Sequence, residues 1–113
     1  MKREFQKIPY DCPIEATLGM IGGKWKALIL DQLTDGRLRF GELQRRMPKI
    51  TPKMLTQQLR ELEDDGLVER HVYPVVPPRV EYELTAFGKT VLPILTAMCD
   101  WGRMYLDEYA GKK

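Results

Sequence analysis

The chain has 113 residues, of which 43% are apolar and 30% charged, and its net charge is +2. This length fits one domain of ordinary globular composition. The first seven residues lack the apolar run of a signal peptide, no stretch approaches the ~20 apolar residues of a membrane span, and two cysteines are too few for a disulfide framework. These features exclude the secreted and membrane classes and predict a cytoplasmic protein.

Helices dominate the first part of the chain. Residues 1–11 show no periodicity and are predicted to form an arm. Pro13 suits the first position of a helix, which Gly22-Gly23 ends. A second helix is predicted to start near Lys24. Its apolar face combines Trp25, Leu28, Ile29 and Leu33.

A helix-turn-helix is predicted at about residues 41–65. A short extended piece, residues 38–40, precedes a short helix that ends at Met47, and residues 48–50 break the chain. Thr51 can then cap a longer helix with Pro52 at its first position. Leu55, Leu59 and Leu62 form its buried face, and Gly66 ends it.

After Gly66 the apolar period changes from helical to two, which predicts a β-hairpin at about residues 68–84 with the proline-rich tip 74–78. The last helix is predicted to start after Thr85, to reach about Tyr109 and to be kinked at Pro93. The predicted fold is therefore mainly α with a small β-hairpin, a single winged helix-turn-helix domain over residues 1–113.

The last helix carries more large apolar side chains than one face of a small domain needs. Val91, Met98, Trp101 and Tyr105 recur on one stripe, and Leu95 lies on a second stripe beside it. Closure of the monomer core would bury part of this surface. We favour the alternative that two chains pair these helices in a homodimer, because one small domain cannot easily cover both stripes.

The middle of the chain is basic. Nine basic and three acidic residues lie between Lys24 and Arg60, a local charge of +6. Charge of this kind is either an electrostatic footprint for a polyanion or a solvated surface. Projection of the helix after Thr51 places Lys53, Thr56, Gln57 and Arg60 opposite its leucines. These side chains reach base edges and phosphates, so the pattern favours double-stranded DNA as the partner.

Two further arginines are candidates for DNA contact. Arg79 lies beside the hairpin tip, where an arginine can enter a minor groove or contact a phosphate. Arg39 either contacts the DNA backbone or is solvated. The competing interpretation is a winged helix that binds a protein and never touches DNA. It predicts an apolar or acidic outer face on the 51–65 helix, which the sequence does not have.

The sequence shows no catalytic pattern. It has no Gly-rich phosphate loop, no nucleophile elbow and no motif for a cofactor. The single histidine, His71, has no Cys/His cluster around it, so no metal site is predicted. We therefore expect a protein that is not an enzyme, with no cofactor and with an effector that the sequence does not identify.

The chain resembles the HxlR-type winged helix-turn-helix regulators, relatives of the MarR-like group. The resemblance covers nearly everything from Cys12 to Trp101. It rests on Cys12-Pro13, Ile21 to Trp25, Leu38 to Leu43, Leu59 to Val68, Tyr73 to Thr85 and Trp101-Gly102.

The resemblance implies a transcription regulator that binds a pseudo-palindromic operator as a homodimer. It implies an interface formed by the N-terminal helix, with Ile14 and Leu18, and by the C-terminal helix of about residues 85–109. It also adds Thr51 to the groove-facing residues.

Some regulators of this type sense oxidants or electrophiles through the cysteine that precedes the proline, and Cys12 holds that place. A cysteine near a helix N-terminus can react as a thiolate, but a purely structural cysteine fits the sequence equally. Cys99 lies on the apolar last helix and is predicted to be packed rather than reactive.

Overall fold

The computed structural model describes residues 12–112, so the predicted arm, residues 1–11, lies outside the described part. It contains six α-helices, three strands and a final 3-10 turn. In chain order these are α1 (Pro13–Ile21), α2 (Lys26–Gln32), β1 (Leu38–Arg39), α3 (Phe40–Arg46), α4 (Pro52–Asp64), β2 (Val68–Tyr73), β3 (Arg79–Leu84), α5 (Ala86–Lys89), α6 (Leu92–Glu108) and the turn Ala110–Lys112. The prediction of a mainly helical winged helix-turn-helix is confirmed.

The first two helices end and begin close to the predicted positions. Pro13 opens α1, and Gly22 closes it with its N–H on the Leu18 carbonyl at 2.7 Å. A turn through Trp25 delays α2 to Lys26. The predicted apolar face of α2 was partly wrong, because Leu28 is half exposed while Leu30 is fully buried. Since α2 packs against α3, α4 and α6, its buried arc is rotated from the predicted one.

Helix α4 follows the local sequence signals closely. The Thr51 hydroxyl accepts from the Met54 N–H at 3.1 Å, and Pro52 occupies the first turn. Gly66, with φ of +80°, adopts the left-handed conformation that glycine tolerates best. The Leu67 N–H then returns to the Leu62 carbonyl at 3.0 Å, which closes the helix end and turns the chain into the wing.

The wing is a three-stranded antiparallel sheet in the order β1-β3-β2. β2 and β3 form the predicted hairpin, and β1 adds two residues on the other edge of β3, with Leu38 opposite Tyr82. Alternation along β3 turns Tyr82 and Leu84 toward the core and leaves Glu81 and Glu83 on the outer face. The outer face is therefore polar.

The last helix is not one kinked rod, as predicted, but two helices. Thr85 caps α5, which ends after four residues, and Thr90 and Val91 lead into α6. Pro93 lies in the first turn of α6, where its missing N–H leaves no helical bond unmade. The prediction that Pro93 lies inside a continuous helix is corrected: the chain breaks before it.

One core joins these elements. Its fully buried members include Ile29, Leu30, Leu43, Leu55, Leu59 and Leu62, so α2, α3 and α4 meet at the centre. The core holds α4 rigidly on one side and leaves its polar side outward. No helix within residues 12–112 has the length and apolarity needed to cross a membrane.

Candidate nucleic-acid interface

The outer face of α4 is polar and basic. Lys53, Thr56, Gln57 and Arg60 are all exposed, as is Thr51 at its N-terminal cap. Thr56 donates its hydroxyl proton to the Pro52 carbonyl at 2.9 Å, so its oxygen remains free to accept. No acidic residue lies in the first turn. The structure thus brings together on one surface all the α4 side chains predicted to contact DNA.

A chain of contacts orients Gln57. Lys26 Nζ of α2 lies 2.8 Å from Glu61 Oε1, and Glu61 Oε2 accepts from Gln57 Nε2 at 3.3 Å. The hydrogen bond from Lys26 lowers the pKa of Glu61, which stays an acceptor at neutral pH. The Gln57 amide nitrogen must therefore face Glu61, and the remaining amide edge, one oxygen and one N–H, is left for a ligand. That edge can pair bidentately with adenine.

We expect the Lys26–Glu61 pair to make folding stability depend on pH in acid. The pKa of Glu61 is lower in the folded chain, so its contribution is present above the unfolded pKa of ~4.3 and is lost as pH falls below it. Because the Glu61 side chain is 42% exposed, the effect should be only about 0–1 kcal/mol. Urea unfolding should show a larger loss of stability for Lys26→Met, relative to the parent, at pH 7 than at pH 3. A deficit of the same size at both pH values would contradict this account.

Arg70 was missed by the sequence analysis. It lies on β2 opposite Tyr82, on the strand face directed at α4. Together with Thr56, Arg60, Glu63 and Tyr82 it lines a depression of about 260 Å3 between α4 and the wing. The alternation of the strand could have indicated it, because Arg70 lies on the same strand face as Val68 and Val72. Two arginines, Arg60 and Arg70, therefore flank one polar depression beside the outer face of α4.

Two arginines of the wing, Arg39 and Arg79, are paired with the carboxylate of Glu81. The Arg79 guanidinium stacks on Tyr73 at 4.5 Å, and its Nε lies 3.3 Å from Glu81 Oε2. Arg39 Nε lies 3.8 Å from the same carboxylate oxygen, and its side chain is 57% exposed. In this arrangement Arg79 does not project from the tip, whereas Arg39 is the more accessible of the two. Entry of Arg79 into a minor groove requires release from Tyr73 and Glu81.

The residues predicted for the dimer interface divide into two groups. Val91 and Leu95 are 7% and 8% exposed and belong to the core of the single chain, so assigning them to an interface was wrong. Ile14, Leu18, Met98 and Trp101 are between 50% and 69% exposed. Tyr105 is partly exposed and stacks parallel to Trp101 at a centroid distance of 6.0 Å. Large apolar side chains on α1 and α6 thus remain uncovered in the monomer.

Both cysteines are exposed and free. Cys12 is the N-terminal cap residue of α1 and caps with its backbone alone. Cys99 was predicted to be packed, but in the single chain its sulfur is accessible and accepts from Arg103 Nη2 at 3.4 Å. Leu95 and Cys99 are four residues apart and share one face of α6. Leu95 is the last buried residue of this helix, so Cys99 lies on the part of α6 that extends beyond the core.

A helix-turn-helix, an attached three-stranded wing and a basic outer face on the second helix define a winged helix-turn-helix transcriptional regulator. The model of the HxlR-like helix-turn-helix family matches residues 20–110. The chain belongs to this family, as the sequence motifs predicted. The protein is accordingly a transcriptional regulator and not an enzyme.

Individual relatives agree with this assignment. An HTH-type transcriptional regulator of Methanothermobacter thermautotrophicus is 62% identical over 106 residues, which cover 92% of this chain and 81% of the relative. The redox regulator HypR in its oxidised form is 55% identical with a TM-score of 0.78, covering 81% of this chain and 95% of HypR. The diamide-treated YodB from Bacillus subtilis is 37% identical with a TM-score of 0.70, covering 83% and 94%.

Proposed function

We propose that the protein binds double-stranded DNA of specific sequence as a homodimer, with α4 lying in the major groove. The observation that carries this proposal is the outer face of α4, where Lys53, Thr56, Gln57 and Arg60 are exposed together. Gln57, held by Glu61, presents the amide edge that suits adenine, and Arg60 suits guanine or a phosphate. The rigid attachment of α4 to the core supports this reading, since base contacts need a fixed geometry.

Contacts to the DNA backbone would surround the outer face of α4. The N-terminal end of α4 offers the Lys53 N–H and the positive end of the helix dipole to a phosphate, since Pro52 has no N–H and the Met54 N–H donates to the Thr51 hydroxyl. Arg70 and Arg60, on either side of the polar depression, supply two guanidinium groups at the other end. Arg39 is 57% exposed and only loosely paired with Glu81, at 3.8 Å, so it can exchange this carboxylate for a neighbouring phosphate. We assign Arg79 to the same group of phosphate contacts, after its guanidinium has left Glu81.

The homodimer is proposed from the uncovered apolar side chains of α1 and α6. Trp101, Ile14 and Leu18 are 65%, 69% and 62% exposed, which is unusual for large apolar residues of an isolated domain. If two chains pack these faces against each other about a two-fold axis, both faces are covered at once. The same axis places the two copies of α4 on one side of the dimer. Such a dimer matches a pseudo-palindromic operator.

Selection from a random pool of duplexes tests this function without knowledge of the operator. The proposal predicts enrichment of inverted repeats whose half-sites lie about 10–10.5 base pairs apart, one turn of DNA, or a multiple of that spacing. Recovery of duplexes that share no sequence would contradict it. That outcome would favour the alternative, a winged helix that docks on a partner protein through α4.

A redox-responsive version of this function is favoured by two observations. Cys12 is free and exposed at the N-terminal end of α1, so its sulfur is accessible to oxidants. Two similar proteins are the redox regulator HypR, seen in its oxidised form, and YodB, seen after treatment with diamide. We therefore propose that oxidants or electrophiles act on Cys12 and change DNA binding through α1.

Replacement of Cys12 tests the redox proposal directly. Cys12→Ser is expected to bind selected DNA as well as the parent does, and to lose the response of DNA binding to diamide. The matched control is Cys99→Ser, which removes the other exposed thiol and should keep the response. A Cys12→Ser protein that still responds fully to diamide would remove Cys12 from the mechanism.

A further inference from the structure

We propose that Glu69, His71 and Glu83, on the outer face of the wing, form a binding site for a divalent transition-metal cation. One ligand atom from each residue, a ring nitrogen of His71 and a carboxylate oxygen of each glutamate, lies within 4.8 Å of the other two. The site is separate from α4, and it does not depend on the proposed binding of DNA.

The antiparallel ladder places the three side chains together. Glu69 and His71 are two residues apart on β2 and so point to the same face. Glu83 on β3 is the direct partner of Glu69 in the register. Two ligands from one strand and a third from its neighbour therefore share one face, on secondary-structure elements that hold them more precisely than a loop would.

The distances are close to those of a coordination sphere. His71 Nε2 lies 2.7 Å from Glu83 Oε1 and 3.8 Å from Glu69 Oε1. Ligands bound at ~2.0–2.2 Å to a tetrahedral cation lie roughly 3.3–3.6 Å from one another. Small side-chain rotations would bring the three atoms to that spacing, with the unprotonated Nε2 turned to the cation and its proton on Nδ1 or released.

Charge also favours a cation between these residues. Two carboxylates directly opposite each other across a strand pair repel, and here Glu69 faces Glu83. Arg37 offsets part of this repulsion, with Nη2 donating to Glu83 Oε1 at 2.9 Å and Nη1 donating to the Tyr73 hydroxyl. Hydrogen bonds of this kind commonly orient the carboxylates that bind metals, so Arg37 would position Glu83.

The donor set indicates the class of metal. One imidazole and two carboxylates, without a thiolate, suit Zn2+, Ni2+, Cu2+ or Mn2+ better than Cu+ or an iron–sulfur cluster. Three protein ligands leave the remaining positions to water, so the cation would exchange reversibly. The sequence predicted no metal here because Glu83 is twelve residues from His71 and only the hairpin brings them together.

The test uses Zn2+ and the untagged wild-type chain, whose single histidine gives an unambiguous ring signal. We expect NMR spectra of the His71 ring to shift on titration with Zn2+, and calorimetry to show one site per chain. Glu69→Gln and Glu83→Gln should each weaken binding by at least ~10-fold. Glu69 is exposed, so its variant should fold like the parent.

Two controls separate this site from other ligands. Glu108→Gln removes an exposed carboxylate from α6, and the Cys12→Ser/Cys99→Ser protein removes both thiols. Both should bind Zn2+ as the wild type does. A His71 ring signal that does not move at saturating Zn2+, or binding that is lost in the cysteine variant and kept in Glu69→Gln and Glu83→Gln, would overturn the proposal.

Discussion

Trp101→Glu is expected to convert the proposed homodimer into monomers. Trp101 is the largest exposed apolar side chain on α6, and it stacks on Tyr105 beside the exposed Met98. Aromatic residues at the centre of an interface commonly contribute 2 kcal/mol or more, which corresponds to a loss of roughly 30-fold or more in affinity. A buried carboxylate without a partner adds a desolvation cost. Sedimentation over a range of protein concentrations measures the shift.

Val76→Glu provides the matched control for the loss of the dimer. Val76 lies at the wing tip and is 99% exposed, so the same change of an apolar side chain to a carboxylate leaves the proposed interface untouched. The Val76→Glu dimer should dissociate over the same range of protein concentrations as the parent dimer. A Trp101→Glu protein that remains dimeric would place the interface elsewhere than on α6.

Arg60→Ala is expected to cost about 1–3 kcal/mol of operator binding, or roughly 5- to 150-fold in affinity. Arg60 is exposed on the third turn of α4 and lines the depression beside Arg70. Combination with Gln57→Ala removes both of the side chains proposed to read bases. The double variant should therefore bind selected and unrelated duplexes equally. Fluorescence anisotropy with a selected duplex and a scrambled one measures both affinities.

Lys89→Ala is the control for the removal of a positive charge. Lys89 is exposed on α5 and contributes to no part of the proposed interface. Its affinity should stay within about twofold of the parent at equal salt, because a single distant charge is screened. If Arg60→Ala binds the selected duplex as tightly as Lys89→Ala does, Arg60 does not lie in the groove.

The parts of the fold that were predicted correctly depend on local signals. Thr51, Pro52 and Gly66 mark the two ends of α4 by their own backbone chemistry, and the leucine spacing fixes which side is buried. The outer face of α4 follows from the same periodicity. For these reasons the helix-turn-helix and the candidate α4 residues could be predicted without the structure.

The wrong predictions involve contacts that join distant segments. Helix α5 passes very close to the chain at the end of α4: a Cβ on Gly88 would lie 2.0 Å from the Leu67 carbonyl oxygen. Val91 and Leu95, which follow α5, lie in the core. Apolar spacing alone does not say whether the core or a second chain covers a stripe.

The site details that were missed have the same origin. Lys26 and Glu61 are 35 positions apart in the chain, and their contact fixes the Gln57 amide. The partners that hold Arg79 back lie on its own hairpin, but side-chain stacking on Tyr73 cannot be derived from strand alternation. Both depend on the final packing of side chains.

Binding of the wild-type protein to DNA at several salt concentrations tests the central claim most directly. Fluorescent duplexes from the region upstream of its own gene would be titrated with purified protein between about 50 and 200 mM salt. A protein that neutralises several phosphates with its arginines and lysines should bind one duplex tightly, with log affinity falling steeply and linearly with log salt. Weak binding that is indifferent to both sequence and salt would contradict a DNA-reading α4 and would leave a protein partner for that face.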